Sequence, residues 1–452
     1  MKFRIKIKSS AYNLFTYFIF MAVIGSFLLS LPFCYNGEKI PFIDAIFVTV
    51  SAICVTGLST VDMSVFSNAG FMILLLLIEA GGLGLVSFFT IYLTFASKKL
   101  SLVNRNIIKD YFTQEQQFEV KQIVKQIILF TLCIQILGSI FLSIFLYFNG
   151  EKKFIFYGIF LSISAFCNAG FSPYSDSLSR FSQNPAIILT LSFIIIFGGL
   201  GFNVMSNVYY SLHKSKTKKK QILTLHSKIV LTMTSVLIFL GTVLFYVFER
   251  KLAFKDMSFS SAFLNAFFES VTLRTAGFET ISQNSFSNHS SFVAKIFMII
   301  GGSPGSMAGG IKTTTVFLML LLAYKSANDK NFPSVFKRDI SLESIDKATS
   351  IFIKAICFLC IMIGLLLWSQ KDLILNGVFS SESLIFEAFS AFGTVGLSKG
   401  ITGLLSSSGK ILIMILMFAG RTGITFIAIN SFGKEGEIKS LTDYPKEDVL
   451  LG

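Results

Sequence analysis

The sequence predicts an all-α integral membrane protein assembled from four copies of one helix, re-entrant loop, helix unit. Three observations carry that expectation: an apolar composition, basic residues pooled in alternating loops, and four semi-polar segments that align with one another without gaps.

Of the 452 residues, 53% are hydrophobic and 14% charged, and the mean hydropathy is +0.70, too apolar for a water-soluble core of this length. Residues 11–33, 70–96, 124–148, 229–248, 292–323 and 350–368 each supply the apolar run of about 20 residues that a bilayer core requires. Only helices and closed barrels satisfy their own backbone in lipid, so these segments read as spanning helices. The first follows Lys2, Arg4, Lys6 and Lys8. It is too long for the apolar region of a signal peptide, and the bulky Phe33 precedes Cys34 where cleavage needs a small residue.

A formal charge of +14 does not point to nucleic acid, because the basic residues are not gathered in one domain. Residues 1–8, 98–125, 213–228, 324–347 and 434–446 hold 24 of the 39 Lys and Arg. By the positive-inside rule all five segments face the cytoplasm, which puts both termini inside. Cys357 and Cys360 form a CxxC in an apolar helix with no second pair and no nearby His, which predicts packing rather than zinc or redox work. No Ser/His/Asp grouping and no GxxxxGK[ST] is present, so the chain reads as neither a membrane-embedded hydrolase nor an ATPase, and not as an enzyme.

The aligned segments are AIFVTVSAICVTGL at 45–58, GIFLSISAFCNAGF at 158–171, NAFFESVTLRTAGF at 265–278 and LIFEAFSAFGTVGL at 384–397. Gly57, Gly170, Gly277 and Gly396 fall in register, and a Ser-Ala pair recurs at one offset in three copies. A second anchor follows each: Gly81-Gly82-Leu83-Gly84, Gly198-Gly199-Leu200-Gly201, Gly302-Ser303-Pro304-Gly305 and Gly420-Arg421-Thr422-Gly423. The last residues of these anchors lie 27, 31, 28 and 27 positions beyond the loop glycine, one layout used four times. About a dozen residues before a glycine cannot cross a bilayer, so each segment is expected to enter from outside and stop mid-membrane. Its dipole then directs a negative end inward, which favours a cation, and the turn beyond it must line a water-filled cavity. Val55-Thr56-Gly57, Asn168-Ala169-Gly170, Thr275-Ala276-Gly277 and Thr394-Val395-Gly396 resemble the potassium-channel filter TVGYG. Glycine takes the positive φ that lets successive carbonyls face an axis and replace an ion's hydration shell.

On these loops and anchors the chain, from residue 10 to its C-terminus, resembles the Trk/Ktr/HKT superfamily of potassium transporters, and within it the Ktr-type membrane subunit. The resemblance implies four M1-P-M2 repeats, with eight spanning helices and four re-entrant pore loops in pseudo-fourfold arrangement around a central pore. The repeats then occupy residues 1–97, 98–212, 213–323 and 324–452, the last three each led by a cytoplasmic linker. It implies potassium at Gly57, Gly170, Gly277 and Gly396; in plant relatives a serine at the first of these goes with sodium permeation. One helix rather than three precedes the first loop, which favours Ktr over Trk. Also implied are potassium as substrate, sodium as activator, no covalent cofactor, and a homodimer seated on a cytosolic ring of nucleotide-binding KtrA-like subunits in the cytoplasmic membrane. The alternatives are a Trk-type potassium/proton or sodium-coupled transporter and a non-selective monovalent cation channel. Each loop has one filter glycine where the channel motif has two, and the residues beyond it differ: Leu58-Ser59, Phe171-Ser172, Phe278-Glu279 and Leu397-Ser398. Fewer ordered sites predict selectivity less strict than a channel's.

Two features break the symmetry. Gly301, Gly302, Ser303, Pro304, Gly305, Ser306, Gly309 and Gly310 interrupt an apolar helix just before Lys312, so that helix must break mid-membrane. The break is either a gating loop beneath the filter, as the family match implies, or a kink. Arg421 stands where the first two repeats have Gly82 and Gly199. A mid-membrane arginine costs at least about 2.5–3.5 kcal/mol and normally faces a cavity. Below a cation filter it acts as an electrostatic barrier, the role the family gives it, unless it forms a structural ion pair with a partner such as Glu79. Asp44, Glu269, Glu387 and Arg274 are expected to pair behind the filter rather than touch ions.

Overall fold

The computed structural model describes residues 10–37, 39–83, 120–212, 223–324 and 334–423, and among them it is all-helical, with isolated bridges but no strand. The first group of helices is α1 (Ser10–Leu29), α2 (Phe42–Ile53) and α3 (Asn68–Leu83). The second is α4 (Val120–Phe148), α5 (Phe154–Phe166), α6 (Pro185–Leu200) and α7 (Phe202–Leu212). The third is α8 (Leu225–Glu249), α9 (Phe259–Thr272), α10 (Asn288–Ile299) and α11 (Thr313–Tyr324). The fourth is α12 (Leu342–Ser369), α13 (Lys371–Leu375), α14 (Ser381–Gly393) and α15 (Ser407–Thr422).

Six of the helix starts are set locally by hydroxyl and amide side chains. Asn184 accepts from the amides of Ala186 and Ile187, and Thr224, Ser258, Ser287, Ser380 and Ser406 each accept from the amide three residues on. Such caps satisfy donors that lipid could not. Each group then lays its first long helix along its short one: α1 on α2, α4 on α5, α8 on α9 and α12 on α14.

The groups close into a ring. Helix α3 packs on α5, α6 on α9, α10 on α14, and α15 returns to α2. The last helix of each group therefore meets the short helix of the next, and the fourth meets the first. The short helices are buried toward their C-terminal ends, with Phe47, Phe160, Phe268 and Phe386 at 0% exposure, whereas Phe20, Phe27, Leu76, Phe193 and Phe239 point outward from the long ones. A protein apolar at its centre and at its rim matches hydrocarbon as solvent.

The expectation of eight spans is met only in part by length. Helices α8 and α12, and α4 from Lys125 to Phe148, are long and apolar enough to cross a bilayer, and α6 with α7 counts as a fourth only if a 100° bend between them is one broken span. Helices α3 and α15 have 16 residues each as described, and Gly84 with the rest of the segment predicted at 70–96 lies outside the described residues. So do residues 1–8 and 434–446, which carry part of the predicted inner charge. The bend at Gly201 is a departure, since sequence places a break only in the third repeat. Gly201 has φ 86°, and a Cβ there would lie 2.6 Å from Ser303 Oγ, so a loop of the third group packs directly against the corner. Cys357 and Cys360 are free thiols exposed on α12 rather than packed inside.

Candidate functional site

The four short helices end at the same backbone motif. Val55, Asn168, Thr275 and Thr394 have φ of 55°, 57°, 67° and 50°; two residues later Gly57, Gly170, Gly277 and Gly396 have φ of 96°, 70°, 77° and 96°. Thr56, Ala169, Ala276 and Val395, between them, keep negative φ. Such alternation turns successive carbonyls toward one side of the strand. Three of the four left-handed non-glycine residues are β-branched, a conformation that costs on the order of 1–3 kcal/mol each and collects at functional sites.

The loops meet head to tail. A Cβ built on Gly57 would lie 2.6 Å from the Ala169 carbonyl oxygen, and one on Gly170 2.9 Å from that of Ala276. On Gly277 it would strike the Val395 carbonyl, and on Gly396 the Thr56 carbonyl, closing the circle. All the predicted filter residues are thus brought together, in a ring that leaves no room for a side chain at any of the four glycines.

Hydroxyl groups brace this backbone from behind. The amide of Gly57 donates to Ser51 Oγ at 3.1 Å and that of Gly396 to Ser390 Oγ at 3.0 Å. In the second loop Ser164 Oγ instead donates to the Phe171 carbonyl at 2.8 Å, and in the third Thr272 Oγ1 donates to Phe278 at 2.8 Å. Sequence reasoning used the Ser-Ala pair only to set the register. Its recurrence was the available signal for this role. The first glycine of the second anchor also gains a reason: a Cβ at Gly81, Gly198 or Gly420 would collide with the carbonyl of Ile53, Phe166 or Phe392 at the end of a short helix.

Beneath the ring, residues 300–312 leave helical geometry between α10 and α11. The segment is held on several sides. Its amides at Ser303 and Met307 donate to Gly199 and Gly198, each at 3.1 Å, and Gly310 donates to Gly420 at 3.1 Å. Ser303 Oγ also bonds the Leu200 carbonyl, and the Phe202 amide reaches Gly305 at 3.1 Å. Lys312 Nζ donates back to the Ala308 carbonyl at 2.6 Å. Gly302, the first glycine of the third anchor, faces Ala308, Gly199 and Ser306 rather than the end of a short helix, so the third group lacks the anchor contact of the other three. Arg421 donates to the carbonyls of Met307, of Gly81 at 2.6 Å and of Gly82 at 3.1 Å. Glu79 accepts from Gln135 at 3.0 Å and from the Cys167 thiol at 3.3 Å. Gly82, Phe202, Ser306, Lys312 and Arg421 help line a cavity of 90 Å³, room for about three waters.

Of the four buried charges expected to pair, only Asp44 makes an ion pair among the described residues. Asp44 pairs with Lys410 at 2.6 Å. Glu269 accepts from Gln283 at 3.0 Å, and Glu387 from Thr402 at 2.8 Å and from Ser398. Arg274 donates to Thr234 Oγ1 at 3.2 Å.

A closed ring of four loops, each turning on a left-handed residue and a glycine, thus sits in an apolar helical scaffold, with a small cavity lined in part by Lys312 and Arg421. Residues 2–435 match the family described as TrkH, cation transport protein. The chain is 36% identical over 439 residues to the potassium/sodium uptake protein NtpJ of Enterococcus hirae, covering 96% of this chain and 95% of that one. It is 34% identical over 440 residues to the Ktr system potassium uptake protein B of Vibrio alginolyticus, covering 96% and 93%. The Ktr system potassium uptake protein D of Bacillus subtilis is 33% identical over 444 residues, covering 96% of each chain. In three dimensions the chain resembles the crystal structure of the potassium transporter TrkH from Vibrio parahaemolyticus, with a TM-score of 0.73, 18% identity, and coverage of 96% of this chain and 87% of that one. The chain belongs to the TrkH family of cation transport proteins, in its Ktr/Trk potassium- and sodium-uptake branch.

Proposed function

We propose that the chain is the ion-translocating subunit of a Ktr-type potassium-uptake system, stimulated by sodium, with the ring of four loops as its filter and residues 301–312 with Arg421 as its gate. The head-to-tail ring of Gly57, Gly170, Gly277 and Gly396 carries this reading, because its backbone carbonyls are the groups that replace water around a dehydrated cation. In this reading the four groups of helices are four M1-P-M2 repeats, at 1–97, 98–212, 213–323 and 324–452, with both termini in the cytoplasm. Membrane potential supplies about 2.3 kcal/mol per charge per 100 mV, enough for about fiftyfold accumulation. Control is exerted by Arg421 and the loop it holds, and from outside the chain by a cytosolic nucleotide-binding ring on which a homodimer sits; likeness to Ktr system proteins supports that assembly.

A relative named as a potassium/sodium uptake protein favours, as a second reading, that sodium also passes. Growth of a potassium-uptake-deficient bacterium in low potassium, with and without sodium, separates the two. The first predicts rescue that sodium strengthens, with no net sodium uptake. Absence of rescue in every condition, with the chain expressed beside a cytosolic Ktr partner, overturns both.

A further inference from the structure

Arg274 is a buried cation placed beside the filter without a carboxylate. It is 3% exposed, and no Asp or Glu among the described residues pairs with it. Nη2 reaches Thr234 Oγ1 on α8 at 3.2 Å, and Nε has no hydrogen-bond partner. Leaving a charge buried and unpaired is expensive. The fold does not require it, because the equivalent positions, three residues before the filter glycine, are Cys54, Cys167 and Gly393.

The position of the charge gives it a use. Helix α9 ends at Thr272 with Leu273 as its cap, so Arg274 sits just past the negative end of a short helix aimed at the ring. Its own carbonyl lies within the third loop and accepts from Asn168 Nδ2 of the second at 3.3 Å. A cation there offsets the dipole that the other three short helices present in full. Its Nη2 reaches Thr234 on α8, and a side chain extended to that helix sets the guanidinium on the order of 10 Å from the ring centre. At that distance, in a medium of effective dielectric about 20, repulsion of a monovalent cation amounts to about a tenfold change in occupancy.

We propose that Arg274 sets ion affinity at the filter by weakening cation binding from the third loop, so that ions leave as readily as they enter. Conduction needs sites strong enough to fill and weak enough to empty. This rests on the uptake reading above: a wild-type chain that moves no potassium refutes that reading, whereas the comparisons below test Arg274 alone.

The measurement is the potassium dependence of uptake by cells expressing the full chain, with half-saturating concentration and maximal rate resolved separately. Arg274→Gln is expected to lower the half-saturating concentration about tenfold and to lower the maximal rate. Arg274→Lys, which keeps the charge, should stay within about twofold of wild type. Thr234→Glu leaves Arg274 in place but sets a carboxylate against Nη2, and should shift affinity in the same direction as Arg274→Gln. An unchanged or raised half-saturating concentration in both Arg274→Gln and Thr234→Glu, or loss of transport in both with normal membrane assembly, overturns the proposal. If Arg274→Gln fails to assemble, Thr234→Glu decides alone.

Discussion

Arg421, near the end of the last helix, donates to the carbonyl of Gly81 in the first group, 340 positions away, at 2.6 Å. The same guanidinium holds the carbonyl of Met307 in the interrupted third group. One side chain thus joins three of the four groups below the ring and places a positive charge there.

Replacing Arg421 with Ala removes both the charge and the ties. Charge-assisted hydrogen bonds of this kind contribute about 1.5–3 kcal/mol each. Cation uptake should rise several-fold while the melting temperature in detergent falls. Unchanged uptake would refute the barrier role even if stability dropped.

Substitution at Gly170 tests whether the ring tolerates a side chain. Gly170→Ala sets a methyl 2.9 Å from the Ala276 carbonyl at φ 70°, and should abolish or strongly reduce potassium uptake. Gly364→Ala is the control: nothing lies within 4 Å of its new methyl, and a helical alanine should stabilise by about 0.4–1 kcal/mol without altering transport. Equal uptake by the two variants would remove Gly170 from the filter.

Ser51 and Ser390 each accept from the amide of a ring glycine, Gly57 and Gly396. Ser51→Ala and Ser390→Ala should each cost about 1 kcal/mol and widen the range of conformations open to the loop. The expected readout is a lower preference for potassium over sodium in competition uptake, larger in the double variant. A stability loss with unaltered preference would confine these hydroxyls to structure.

The ion pair between Asp44 and Lys410 joins the first short helix to the last long one, with side-chain exposures of 9% and 11%. Lys410→Met strands a buried carboxylate and should cost about 3–5 kcal/mol. Adding Asp44→Asn should recover most of that loss in thermal unfolding. Additive losses in the double variant would mean that the two residues act independently.

Much of this protein is written in local chemistry. Loop glycines required by positive φ, the run of Gly and Pro at 301–310, and a charge in an apolar helix at Arg421 are each visible because one residue type has few physical uses in that setting. The sequence alone therefore determined four equivalent loops and two of the places where their symmetry fails, at 301–310 and at Arg421. It could not reveal what those features meet. Gly201 ends an anchor like the others, yet the 100° bend there, and the packing of Ser303 from about a hundred residues away against it, are seen only in the fold. Ser51 and Ser390 recur in the alignment, but only packing brings their oxygens to Gly57 and Gly396, and in the third loop Thr272 takes over from one residue further along. The pairing of Asp44 with Lys410, and the want of a carboxylate beside Arg274 among the described residues, are likewise decided only when the ring closes. Conformational demand is local to a residue and can be read in order along the chain. A hydrogen bond or an ion pair needs two groups within about 3 Å, and only the tertiary fold chooses which two.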